Sequence, residues 1–197
     1  MTEHAPTVYT VGHSTRTQDE LIGLLRAHDV ELVADVRARP VSHRQPHLSG
    51  AALRGPLAAS GIDYRPLPLL GGRRTRGLDP SPNGAWQHPG FRNVADYMLA
   101  ASFWRGLEEL IELAHGRRTA MMCAAAVPWR CHRGLISDAL VASGVGVLHI
   151  LRTGPPWPHA LHAHAVVGPD GRVRYPAPAG GARAAAACGQ RRVRRRP

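Results

Sequence analysis

The chain has 197 residues, 44% hydrophobic but only 5% aromatic, which suits one domain with a core of Leu, Val, Ile and Ala. No apolar run reaches the roughly 18 residues of a membrane span. Met1-Thr2-Glu3-His4 lacks the basic-then-apolar pattern of a secretory leader, and three cysteines are too few for a disulfide framework, so a cytoplasmic protein with reduced thiols is expected. The formal net charge is +11, yet residues 176–197 hold six arginines and no acid. That stretch reads as a disordered Arg/Ala-rich tail that would suit a polyanion.

Val8-Tyr9-Thr10-Val11-Gly12 reads as a first buried strand, followed directly by His13, Ser14 and Arg16. Thr17 and Glu20 have capping-box spacing, and Leu21, Ile22, Leu24, Leu25 and His28 then follow a helical face. Glu31 to Arg37 is the second strand, whose period of two puts Asp35 and Arg37 on one face. Pro40 ends it, and a basic loop leads to Ser49, which is placed to cap a helix over residues 50–60 that Gly55-Pro56 should kink or interrupt. Ile62 to Pro68 is a third strand, placed at an edge by its prolines.

A long Gly/Pro/Arg-rich loop follows from Leu69 to Pro89, including Gly71 and Gly72. Two helices, Phe91 to Leu99 and Ser102 to His115, precede a fourth strand from Thr119 to Cys123. A helix from Arg133 to Ser143 and a fifth strand from Gly146 to Leu151 complete the alternation. Strands alternating with helices predict a three-layer α/β domain over residues 7–151, with a mostly parallel sheet and helices on both faces. Residues 152–175 read as an irregular segment and β-hairpin appended to it, with Gly168-Pro169-Asp170-Gly171 as the turn.

Ligands of open parallel sheets bind beyond the carboxyl ends of the strands. Applied here, that rule brings four segments together. The first strand delivers His13, Ser14 and Arg16, the second Asp35 and Arg37, the third Gly71 and Gly72, and the fourth Cys123, followed by Cys131, His132 and Arg133. Cys131 stands at a helix start beside an imidazole and a guanidinium, all of which favour a thiolate. Two chemistries fit. Cys123 or Cys131 is a nucleophile with His13 or His132 carrying the proton and Asp35 assisting. Alternatively Cys123, Cys131 and His132 hold a metal, zinc or iron. The Cys-x7-Cys-His spacing differs from short zinc knuckles and ranks the metal second, so no cofactor is evident from the sequence. Ser14, Arg16, Arg37, Arg133, Gly71 and Gly72 are the expected substrate-binding residues, for an anion.

Gly12-His13-Ser14-x-Arg16, Asp35-Val36-Arg37-x-x-Pro40, Leu70-Gly71-Gly72 and Cys123-Ala124-x-x-x-Pro128-x-x-Cys131-His132-Arg133 resemble the domain-of-unknown-function family DUF488, over about residues 7–151. The resemblance implies a compact α/β domain and supplies no reaction. In the family pattern the residue two after the first cysteine is usually Glu; here it is Ala125. The function expected is an enzyme, a cysteine-dependent transferase or hydrolase, acting on a small anionic or nucleotide-like substrate. The alternatives are a nucleic-acid-associated binding protein using Arg37, Arg39, Arg44, Arg73, Arg74, Arg76 and the tail, or a metal-binding or catalytically impaired member of the family. Neither the sequence pattern nor the resemblance specifies an oligomeric state.

Overall fold

The computed structural model describes residues 5–178; the arginine tail and Cys188 lie outside the described residues. The core elements are β1 (Thr7–Gly12), α1 (Gln18–Arg26), β2 (Leu32–Asp35), α2 (Gly50–Ala59), β3 (Asp63–Pro66), α3 (Pro89–Tyr97), α4 (Ala101–His115), β4 (Thr119–Cys123), α5 (Arg133–Ala142) and β5 (Gly146–Ile150). They are followed by the short strands β6 (Trp157–Pro158), β7 (Val166–Val167) and β8 (Val173–Arg174). The main sheet has the order β3-β2-β4-β1-β5-β6 and is parallel except for β6, while β7 and β8 form a separate antiparallel pair. β3 lies at an edge, where its prolines cost no ladder hydrogen bond.

Each central strand is apolar on both faces, as burial from both sides demands. Val11, Val33, Ala120 and Met122 pack under α1 and α2 through Leu21, Leu25, Leu53 and Leu57. Their neighbours Val8, Leu32, Ala34 and Met121 face α3, α4 and α5 through Val94, Leu107, Leu110, Ile136 and Leu140. Burying each such Leu or Ile contributes about 2 kcal/mol. The α1 entry is the expected capping box: Thr17 accepts from Glu20 N while the Glu20 carboxylate accepts from Thr17 N. At α2 the structure differs from the expected interruption. The helix runs through Pro56, and the Ser49 hydroxyl accepts from Ser42 N rather than capping the helix.

Residues 152–175 are more than an appendage. β6 extends the main sheet beside β5, and Tyr175 is fully buried in the principal core, its hydroxyl donating to Asp138 at 2.6 Å. The long loop after Gly71 is also anchored. Buried Asp96 accepts from Leu78 N, Ser81 Oγ and Asn83 Nδ2.

The topology creates a cleft. β1 and β4 are hydrogen-bonded neighbours with Gly12 opposite Cys123. The chain leaving β1 enters α1 on one face, whereas the chain leaving β4 enters α5 on the other. Strand ends whose connections diverge in this way leave a crevice at their carboxyl edge, the usual ligand position in doubly wound sheets.

Candidate functional site

Pairing between β1 and β4 continues past the strands. His13 N donates to the Cys123 carbonyl and Ser14 N to the Ala124 carbonyl, each at 2.9 Å. Ser14 has φ 52°, which turns the chain sharply away. An alanine Cβ at Gly12 would stand 1.8 Å from the Ala125 carbonyl oxygen. Only glycine lets the loop after Cys123 cross the end of β1 this closely.

At the centre are Cys123, the last residue of β4, and Cys131 with His132, at the entry to α5. The His132 Nε2 lies 3.0 Å from the Val36 carbonyl. A carbonyl only accepts, so Nε2 carries the proton and Nδ1 presents its lone pair. Both sulfurs face that lone pair, Cys123 Sγ at 3.6 Å and Cys131 Sγ at 3.7 Å. A hydrogen bond from Cys123 and the charge of Arg133 hold the Cys131 thiol well below its ordinary pKa. Its hydrogen bond to Cys131 and its burial push Cys123 up. Cys131 is therefore the sulfur with thiolate character.

Asp35 is fully buried and accepts from Arg37 Nε at 2.8 Å, Arg37 Nη2 at 2.5 Å and Tyr64 Oη at 2.5 Å. Burial works against the charge on Arg37, but the hydrogen bonds and charge of Asp35 outweigh it and raise the guanidinium pKa. Arg37 Nη1 donates to the Leu48 carbonyl at 3.0 Å and to His13 Nε2 at 3.1 Å. With His13 Nδ1–H directed at the Ser14 carbonyl, His13 Nε2 is an acceptor already engaged by a cation. Burial, then the charge of Arg37, lowers its pKa to about 4, so His13 is neutral at physiological pH.

These groups border a cavity of about 600 Å³ lined by His13, Arg37, Arg39, His43, Arg44, Gly72, Arg73, Cys123 and His132 among others, with no Asp or Glu in its wall. Arg39, Arg44 and Arg73 are exposed, and among the described residues none of them has a carboxylate partner. An adjoining cavity of about 310 Å³ is lined by Cys123, Ala125, Cys131 and His132 together with His88, Phe91 and Arg130.

The structure brings His13, Asp35, Arg37, Cys123, Cys131, His132 and Gly72 together, and it revises several expected roles. Arg133 is fully buried and donates to the Val11 carbonyl at 2.7 Å and the Cys123 carbonyl at 3.4 Å. It acts on the sulfurs through its charge and does not reach a ligand from solvent. Arg16 bonds the Gly12 and Leu151 carbonyls, and with Ser14 it lines a different, open cavity. Its side chain turns that way because the φ of Ser14 redirects the chain.

Gly71 and Gly72 are spacers. A Cβ at Gly71 would stand 2.5 Å from Ala38 Cα, and one at Gly72 2.4 Å from His132 Cγ. His13 offers no free lone pair for proton transfer. Sequence reasoning missed Tyr64, whose hydroxyl completes the Asp35 shell, and the Val36 carbonyl, which fixes the His132 tautomer; neither has a local sequence signature. It also missed the chain Thr10–His149–His159–Asp138–Tyr175, linked at 2.6–3.0 Å, which joins β1, β5, α5 and the C-terminal segment.

Fold and site together define a doubly wound α/β domain with a sulfur–imidazole cluster at its switch point. The model of the domain of unknown function DUF488 matches residues 17–140, more than half of the chain, and the chain belongs to that family. The match begins just after the His13-Ser14-x-Arg16 segment and ends within α5, a shorter span than the motifs suggest. Neither a curated protein nor a solved structure matches the chain.

Proposed function

We propose that this protein is an enzyme for a small anionic or nucleotide-like substrate, with the Cys123–Cys131–His132 cluster as its reactive centre. The observation that carries this reading is the wall of the larger cavity. It combines Cys123 and His132 with four arginines and has no carboxylate. In such a wall an anion meets uncompensated positive charge, and guanidinium groups bind oxyanions through paired N–H donors. Arg39, Arg44 and Arg73 are the groups free to make those contacts. Arg37, already paired with Asp35, contributes rigidity.

Calorimetric titration with inorganic phosphate, sulfate and nucleoside monophosphates tests the reading. Saturable binding is expected, weakened at least tenfold in the Arg39→Ala/Arg73→Ala double variant. Equal binding by the wild type and the double variant would remove it. The same arginines suit the phosphates of a nucleic acid. That alternative predicts affinity for single strands that falls steeply with salt, and a flat salt response would remove it.

A further inference from the structure

The Cys123–Cys131–His132 cluster is arranged as a metal-ligand set. Its three donor atoms lie within 4.8 Å of one another, and it is the one such group of His, Cys, Asp or Glu found among the described residues. One imidazole lone pair accepts one thiol proton, yet two sulfurs approach His132 Nδ1 at nearly equal distances, 3.6 and 3.7 Å. Hydrogen bonding accounts for at most one of those contacts and a shared cation for both. A tetrahedral zinc ion, with Zn–S about 2.3 Å and Zn–N about 2.0 Å, sets sulfur and nitrogen about 3.5 Å apart. The observed 3.6 and 3.7 Å lie close to that edge length.

The surrounding groups suit the same purpose. The Val36 carbonyl accepts from Nε2–H at 3.0 Å, the outer contact that fixes tautomer and ring orientation in histidine-ligated metal sites. Cys123 ends a strand, and Cys131 and His132 form the turn that enters α5. This origin also explains the seven-residue interval, since a knuckle's tight turn is not what holds the sulfurs together.

We infer that Cys123, Cys131 and His132 bind one zinc-class divalent ion, leaving a fourth position open to the cavities they line. Ala125 borders one of those cavities and brings no ligand atom to it. An oxygen of water or of an anionic substrate therefore takes the fourth position. The assignment of that position rests on the anionic-substrate reading above; the three-ligand site does not.

The test uses the full-length chain, reduced and stripped with a chelator, and titrated with Zn²⁺ alone against a chromophoric competitor, then with Co²⁺ alone. One equivalent of Zn²⁺ is expected per chain, along with a thiolate-to-cobalt charge-transfer band and strong tetrahedral d–d absorption. Cys123→Ser, Cys131→Ser and His132→Gln should each weaken Zn²⁺ at least tenfold, and Cys188→Ser should leave it unchanged. A folded, reduced wild-type chain that takes up less than one equivalent, or a cobalt form without the thiolate band, overturns the assignment without any variant. Retention of full affinity by Cys131→Ser does the same.

Phosphate titration of the zinc-free protein keeps the two proposals separate. If zinc fails while phosphate binds and responds to Arg39→Ala/Arg73→Ala, the metal falls and the anion pocket stands. If zinc binds and neither form of the protein takes phosphate, the pocket reading falls and the three-ligand site stands.

Discussion

Replacing Asp35 by alanine tests the arrangement that fixes the cleft's second wall. Asp35 has no exposed surface, and its partner Arg37 is only 7% exposed. The carboxylate accepts from Arg37 Nε at 2.8 and 3.0 Å, from Arg37 Nη2 at 2.5 Å, from the Arg37 amide at 3.1 Å and from Tyr64 Oη at 2.5 Å. In Asp35→Ala the guanidinium keeps only the Leu48 carbonyl and His13, and a buried charge remains without a counter-charge. Removing one member of a buried pair costs about 3–5 kcal/mol. With a urea m-value of about 2 kcal/mol/M, the unfolding midpoint should drop by about 2 M.

Tyr64→Phe removes one hydrogen bond to the same carboxylate and should cost about 1–2 kcal/mol. Asp35→Ala/Arg37→Met, which removes both charges, should be more stable than Asp35→Ala alone. Equilibrium urea unfolding of the four proteins, followed by circular dichroism, gives these values. An Asp35→Ala midpoint within about 0.5 M of wild type, or a double variant less stable than the single, would refute the reasoning.

Gly72→Ala places a Cβ 2.4 Å from His132 Cγ and should push the imidazole off the sulfurs; Zn²⁺ affinity should fall at least tenfold, with a stability cost of about 1–3 kcal/mol from overpacking. Ala125→Glu adds a carboxylate to the cavity shared by Cys123, Cys131 and His132. It should tighten Zn²⁺ and weaken phosphate, both read by titration. Burial, then the neighbouring His159, lowers the His149 pKa from 6.5 to about 4. The unfolded chain therefore takes up this proton first, so the stability linked to neutral His149 is complete above about pH 6.5 and is lost as the pH falls toward 4. Urea midpoints across that range should fall less steeply in His149→Gln than in wild type. Tyr175→Phe leaves Asp138 without its 2.6 Å donor and should cost about 1–3 kcal/mol in the same assay.

The fold class was legible because its signals are local. Apolar runs such as Leu32–Asp35 and Thr119–Cys123 alternate with helical periodicity, and the Thr17/Glu20 capping box marks its helix start without help from the rest of the chain. The switch-point rule also located the cleft, since it needs only strand order and direction. Roles within the cleft were less legible. Arg16, Arg37 and Arg133 look alike as cations in sequence, yet one faces another cavity, one is held by an aspartate and one is sealed inside the core.

By itself, the sequence determined an alternating α/β domain and the segments that converge at one edge of its sheet, because periodicity and capping act over a few residues. Only the tertiary structure decided that the Val36 carbonyl sets the tautomer of His132, that Tyr64 completes the shell of Asp35, and that two sulfurs face one imidazole lone pair. These contacts join residues that are distant in the chain, and hydrogen-bond direction and burial exist only once the strands and helices have packed.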